Sequence, residues 1–286
     1  MDYLAAVQQD GWTLKDVPES LKTAELCLAA VRRHGLALRH VPEVLKTAEL
    51  CFAAVRQYGW ALRFVPETLK TAELCLAAVQ QNGTALVCVP EILLTAELCF
   101  TAAEKTGMVL EYIPEALKTA ELCLAAVKQD GLALSSVPET LRTGELCLAA
   151  VQQNCEALAH IPEGHGTAEL YLAAVKQDGM MLVRVPEVLK TAELCLAAVR
   201  RHGLSLKHVP EALRTAELCL AAVQQDGWAL RYVPEVLKTA EICLAAVKND
   251  LLGDAFQCVP EVLKTEEFFI AAVKQDDRAI CSRRRL

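Results

Sequence analysis

All eleven prolines of this 286-residue chain stand on one ladder. Pro18, Pro42, Pro66, Pro90, Pro114, Pro138, Pro162, Pro186, Pro210 and Pro234 are each 24 residues apart, and Pro260 follows after 26. A fixed period of roughly 20–50 residues marks stacked repeats, because each unit is too small to bury its own apolar face without a neighbour. Aligned on proline, the unit reads P-E-x-L-K-T-A-E-L-C-L-A-A-V-x-x-x-G-x-A-L-x-x-V, as in Pro42 to Val65 with Phe52 for one leucine.

Within the unit, Thr-Ala-Glu-Leu-Cys-Leu-Ala-Ala-Val is rich in helix formers. It opens on a threonine suited to N-capping and runs to a glycine suited to the C′ position, which predicts a helix of about 12 residues. On a helical wheel, Ala48, Leu50, Cys51, Phe52, Ala54 and Val55 form a broad apolar face, with Glu49 and Arg56 opposite, so the helix should be buried on most sides. The second segment, Trp60 to Lys70, has apolar residues at helical spacing. Its Pro66 lacks an amide donor and disfavours helix at Val65, which predicts a short, broken helix with a 3-10 turn. The expected fold is all-α: an α-solenoid of about twelve 24-residue repeats, a rod or superhelix on the order of 100 Å long if packed helices lie about 8–10 Å apart.

The residues Leu-Ala-Ala-Val-Lys-Gln-Asp-Gly-Leu-Ala-Leu at Leu124 to Leu134 resemble the DUF4116 family of short bacterial helical repeats, whose function is unknown. The resemblance runs over essentially the whole chain. More distantly the unit is similar to the leucine-rich-repeat variant, which implies alternating α and 3-10 helices in a right-handed superhelix. Neither family brings a catalytic residue that could be carried over.

Stacking explains a hydrophobic content of 53% and a mean hydropathy of +0.27 without a membrane, since the longest recurring apolar run is six residues, Leu26 to Val31, against about 20 for a span. Met1-Asp2-Tyr3-Leu4 has neither the basic start nor the apolar stretch of a secretion signal, so a cytoplasmic address is expected, with delivery into another cell as an effector compatible with the family. Thirteen cysteines, an odd number in a long chain, read as reduced thiols.

The chain reads as one repeat domain over 1–286: a partial repeat at 1–17, as in a fragment of a longer array, ten repeats over 18–259, and a C-terminal capping repeat at 260–286. A two-residue insertion falls near 251–253, and the cap ends on Ser282-Arg283-Arg284-Arg285. The unit 162–185 is irregular. There Cys155 stands in place of the turn glycine, Gly164-His165-Gly166 replaces Val-Leu-Lys, and Tyr171 replaces a cysteine, which predicts a bend or soft joint unless the array simply tolerates the drift. A seven-repeat duplication is also visible: Arg32 to Leu36 recurs at Arg200 to Leu204, and Gly59 to Phe64 recurs as Gly227 to Tyr232.

Three ladders could carry chemistry. Nine cysteines, from Cys27 to Cys243, share one repeat position, but zinc needs sulfurs about 2.3 Å from one ion, while stacked equivalents should lie about 8–10 Å apart. They read instead as small buried hydrophobes, interchangeable with Tyr171 and Phe269, and no Cys-x-x-Cys pair exists among the others, Cys88, Cys155, Cys258 and Cys281. His34 with His40, and His202 with His208, could each face one surface, yet neither pair has a nearby acidic third ligand, and His165 sits in the irregular unit. The glutamates Glu25, Glu49, Glu73 and their equivalents complement helix dipoles and should form solvated charge rows with Lys22, Lys46 and Lys70. No catalytic, metal or cofactor residue is expected.

If the framework is architectural, information lies where copies differ: the three residues before the glycine, the one after it, and the pair before Val-Pro. That pair runs through Arg39-His40, Arg63-Phe64, Val87-Cys88, Glu111-Tyr112, Ser135-Ser136, Ala159-His160, Val183-Arg184, Lys207-His208 and Arg231-Tyr232. Arginines and aromatics recur there, the types that dominate interface hot spots, and a solenoid aligns them into one surface. The leading expectation is a non-enzymatic scaffold for a protein or peptide. The alternative is single-stranded nucleic acid read one or two side chains per repeat, with the net charge of −7, Glu111 and Ser135-Ser136 against it.

Overall fold

The threonine that opens each unit sets the start of each α-helix. Thr23 Oγ1 accepts from Leu26 N at 3.2 Å and Thr47 Oγ1 from Leu50 N at 3.3 Å, with the same bond at Thr71, Thr119, Thr191 and Thr239. Each satisfies one amide that the first turn would leave without a partner. The computed structural model describes residues 2–250 and 254–275, and it is helical with no strand among the described residues.

Twelve α-helices follow in order: α1 (Tyr3–Gln9), α2 (Ala24–Arg33), α3 (Ala48–Gln57), α4 (Ala72–Gln81), α5 (Ala96–Lys105), α6 (Ala120–Gln129), α7 (Gly144–Gln153), α8 (Ala168–Gln177), α9 (Ala192–Arg201), α10 (Ala216–Gln225), α11 (Ala240–Lys248) and α12 (Glu266–Gln275). Most have ten residues, two fewer than expected, because the residue before each glycine is already extended: His34 has φ −146° and ψ 104°. Between α-helices run two 3-10 segments, such as Gly35–His40 and Glu43–Leu45, broken at Val41-Pro42 where proline offers no donor. The alternation of α and 3-10 helix is the one the repeat predicts.

The chain groups into two compact units, Met1–Gln153 and Asn154–Leu286. In the first, α1 to α7 pack side by side, each against its own and the neighbouring 3-10 segments; in the second, α8 to α12 do the same. Leu50, Cys51, Ala54 and Val55 of α3 are buried against Ala61, Leu62 and Val65 of the 3-10 layer, and most repeats copy this set. Burying one such Leu or Val contributes about 1.5–3 kcal/mol, which is why the apolar positions repeat so closely.

With only one covering layer, the α-helices are not buried on most sides. Ala48 is exposed, Phe52 and Ala53 are half-buried, and the equivalent Leu28, Leu124 and Leu220 share that half-exposure. The glycine, too, has a different task from the one its position suggests. Among the described residues only Gly164 has positive φ, so the repeat glycines are not left-handed caps. A Cβ on Gly35 would instead meet the Ala54 carbonyl oxygen at 2.5 Å and Tyr58 Cβ at 3.0 Å, so glycine is there for the close approach of the next helix.

The charge ladder also pairs differently. Lys22, Lys46 and Lys70 are not part of a solvated row: their side chains are 6–7% exposed. Lys46 Nζ donates to Glu43 Oε1 at 2.6 Å and to the Phe64 carbonyl at 2.9 Å, 18 residues on in the next repeat. Lys22 reaches His40 O, Lys70 Cys88 O, Lys118 Ser136 O, Lys190 His208 O and Lys238 Cys258 O in the same way. The ionic partner is therefore the glutamate after proline, not the glutamate ladder of the α-helices, and the lysine is an inter-repeat clamp.

At the irregular unit, Gly164-His165-Gly166 forms an exposed turn with Gly164 at φ 89° in place of the second 3-10 segment. Leu158 and Ile161 are half-exposed where their equivalents are buried. Tyr171 is not a plain substitute for a buried cysteine: it is half-buried, with its ring lying where a side chain at position 166 would begin. Phe269 is also half-buried and packs on Phe256 at 5.2 Å. The insertion at 251–253, Cys281 and the arginines at 283–285 lie outside the described residues.

Candidate functional site

The pair before Val-Pro ends the first 3-10 segment of each repeat, so its side chains lie along one edge of the 3-10 layer. The first member points to solvent, as Arg39, Arg63, Glu111, Lys207 and Arg231 do, while His40, Phe64, His160, His208 and Tyr232 are half-buried. Tyr112 and Arg184 are exposed. Under His40, Phe64 and His208 the backbone is held by the lysine clamp, and under Tyr232 by Arg214, whose Nη1 donates to that carbonyl at 3.0 Å.

In the first unit the edge gathers into a cluster. The Arg39 guanidinium carbon lies 5.8 Å from the Phe64 ring centroid, and Arg63 lies 5.3 Å from the same ring and 5.9 Å from Trp60. Trp60 Nε1 donates to Thr84 Oγ1 at 2.5 Å, fixing the indole. One repeat earlier, Trp12 packs on His34 at 4.5 Å and near His40 at 6.0 Å, so His34 and His40 do face one surface. In the second unit the duplicated block rebuilds the arrangement: Arg231 lies 5.1 Å from Trp228 and 5.4 Å from Tyr232. The guanidiniums of Arg39, Arg63 and Arg231 make no hydrogen bond or ion pair with the described residues, which leaves their planar forks available. Glu111, Tyr112, His160 and Arg184 are not drawn into either cluster.

Burial and the nearby cations Arg39, Lys22 and Lys15 push His40 below its ordinary pKa, with Asp16 opposing; burial, Lys207 and Lys190 do the same to His208. The ladder cysteines shift upward because burial disfavours the thiolate, with Cys51, Cys75 and Cys243 raised to about 11. Among the described residues no three His, Cys, Asp or Glu side chains converge as a metal site would require, and no helix is long and apolar enough to cross a membrane.

Several of the variable positions have structural work. The residue before the glycine caps the 3-10 segment wherever it is Asp or Asn: Asp130 Oδ1 accepts from Leu132 N at 3.0 Å, and Asp226 from Trp228 N at 2.9 Å. The residue before that ties repeats together, Gln81 Oε1 accepting from Gly59 N and Gln129 from Gly107 N, both at 2.6 Å. Arg33 and Arg201 instead donate to Gln9 O and Gln177 O.

Two surfaces escaped the sequence reading. The residue after Pro-Glu is almost fully exposed yet often apolar: Val44 91%, Ile92 92% and Val188 91%. Shallow grooves also run between neighbouring α-helices, one lined by Phe100, Glu104, Glu121, Leu124, Ala125 and Lys128. Half-exposure of the Leu or Phe after the ladder cysteine was the missing signal, since a wheel cannot tell a helix covered on one side from one covered on two.

The model of the domain of unknown function DUF4116 matches residues 3–46, 47–94, 96–142, 168–214 and 215–252. The chain belongs to the DUF4116 family. The DUF4116 match at 47–94 opens on the capping Thr47 and closes just before Thr95, so it spans two of the 24-residue units. Residues 143–167, which hold Cys155 and the Gly164-His165-Gly166 turn, fall between DUF4116 matches. No curated protein and no solved structure matches the chain.

Proposed function

We propose that this DUF4116 protein is a non-enzymatic scaffold that binds a protein or peptide along the 3-10 edge. The observation that carries the reading is the set of exposed arginines, Arg39, Arg63 and Arg231, held over aromatic rings with their N–H donors unused by the described residues. A stacked guanidinium has lost part of its rotamer freedom before any partner arrives, which lowers the entropic cost of binding, and Arg with Trp or Tyr is the composition of interface hot spots. The upward shift of the buried thiols supports a role without chemistry at sulfur, since an activated nucleophile needs the opposite shift.

Single-stranded nucleic acid is the second reading, favoured by the ring-bearing edge. Against it, Phe64, Trp60, Trp228 and Tyr232 already carry guanidiniums near their rings, which occupies the space a stacked base would take.

The test compares affinity capture by the wild-type chain with capture by R39A/R63A/R231A, each with and without nuclease. A defined protein set that survives nuclease and is lost from the variant supports the scaffold. Material that disappears on nuclease treatment, or that the variant retains unchanged, overturns it.

A further inference from the structure

The 3-10 edge of an acidic chain carries two short basic strips. In the first unit Lys15, Arg39 and Arg63 are exposed at one repeat position on three successive repeats; in the second, Lys207 and Arg231 are, and the exposed Arg184 lies one residue further along its own segment, beside Val183. Past Arg63 the series turns to Val87, Glu111 and Ser135, so the first strip has a definite end. At each basic rung of the first strip the glutamate after proline remains 73–76% exposed, while the lysine that pairs with it is buried. Arg63 and Glu67 line one depression of about 460 Å³ together with Trp60 and Pro90. The Arg63 rung thus offers a fork of donors, an apolar wall and one carboxylate acceptor.

We infer that each strip takes an extended acidic peptide carrying a carboxylate at every third residue. The inference rests on the scaffold reading and names the ligand class for the same edge. Spacing argues for it: a polyproline II segment repeats its face every three residues, about 9 Å, and packed helices repeat about every 8–10 Å. Its carboxylates meet Lys15, Arg39 and Arg63 in turn, or Lys207 and Arg231. The carboxylate of each rung argues for peptide over polyphosphate. A peptide backbone presents an N–H that Glu43 or Glu67 can accept from, whereas a phosphodiester chain has no backbone donor.

The experiment measures fluorescence anisotropy on the full chain with four labelled probes: (Glu-Pro-Pro)4, a peptide of the same composition with its glutamates contiguous, (Lys-Pro-Pro)4, and a twelve-nucleotide oligo-dT. Tightest binding by (Glu-Pro-Pro)4, two sites per chain, and weakening as salt rises are expected. R63A should weaken the first site about threefold to fivefold and R39A/R63A about tenfold, as expected for exposed charge pairs. R63K should fall between wild type and R63A, because it keeps the charge and loses the fork. Far-UV circular dichroism on each variant confirms that the fold is retained. Equal or better binding of the contiguous peptide or the oligonucleotide, no binding of (Glu-Pro-Pro)4, or indifference to the arginine variants would each overturn the inference. If (Glu-Pro-Pro)4 fails while R39A/R63A/R231A still abolishes nuclease-resistant capture, the acidic ligand falls and the scaffold stands.

Discussion

At the scale of single residues, the clamp is the contact whose removal the fold should feel most. Lys46→Met removes a side chain only 6% exposed and leaves the Phe64 carbonyl without its donor, while the exposed Glu43 turns to water, and a loss of about 1–3 kcal/mol in urea unfolding is expected. The chain supplies the reverse case. Leu94 stands where the clamp lysine belongs, beside Glu91 and opposite the Tyr112 carbonyl, so Leu94→Lys should raise stability by about 0.5–1.5 kcal/mol. Unchanged stability in both variants would show that the 18-residue bond contributes nothing. His40 and His208 add a pH term. His40 is faced by Arg39, Lys22, Lys15, Asp16 and the Trp12 ring, and His208 by Lys207 and Lys190. Their pKa values are lowered on folding, so the unfolded chain binds more protons between the lowered value and the ordinary 6.5. Stability therefore rises with pH through that window and falls on acidification below about 6.5. The difference in Tm between pH 7.5 and pH 5.5 should narrow in H40Q/H208Q. The recurring lysine was legible in the sequence, but its burial was not: that depends on a carbonyl 18 residues away, and a pattern of residue types carries no record of which backbone oxygen lies nearby.

At the scale of elements, threonine caps and the proline break were legible because both act within a few residues of themselves. The glycine was misread because its reason lies across the repeat boundary, at the Ala54 carbonyl for Gly35. Two glycine-to-alanine changes separate the cases. Gly35→Ala forces the neighbouring helix away and should cost about 1–3 kcal/mol. Gly144→Ala opens α7 with the residue that most other units have, with nothing within 4 Å of the new methyl, and should gain up to about 1 kcal/mol. Thermal unfolding of the two variants reads both signs in one experiment. The proposed binding edge was half legible: variability pointed to the pair before Val-Pro, while the stacking of Arg39 and Arg63 on one Phe64 ring joins residues of two repeats. Variability also pointed to positions such as Asp130 and Gln81, whose differences from copy to copy follow capping and bridging.

At the scale of the whole molecule, periodicity announced the architecture, and its lapse at 162–167 marks the weak place. The turn at Gly164-His165-Gly166 is exposed, has lost a 3-10 segment and lies between family matches. Brief subtilisin digestion should cut first within 162–167, as mass spectrometry of the fragments would show, because exposed, non-helical backbone fits a protease cleft with least local unfolding. Restoring the regular residues with G164V/H165L/G166K requires Y171C as well, since the tyrosine ring occupies the place of the missing side chain. That quadruple variant should resist the cut, and first cleavage elsewhere in the wild type would show that the turn is no weaker than the rest.

The clamp lysine grips its neighbour by a main-chain oxygen, an atom that every amino acid carries. His40, Phe64, Cys88, Ser136 and His208 are held with nearly the same bond length although their side chains share no chemistry. The stack is thus indifferent to what is written at those positions. A substitution there leaves the repeat beneath it as tightly held as before, so under the proposed scaffold reading an array of this kind can change its partner one rung at a time while its framework stays constant.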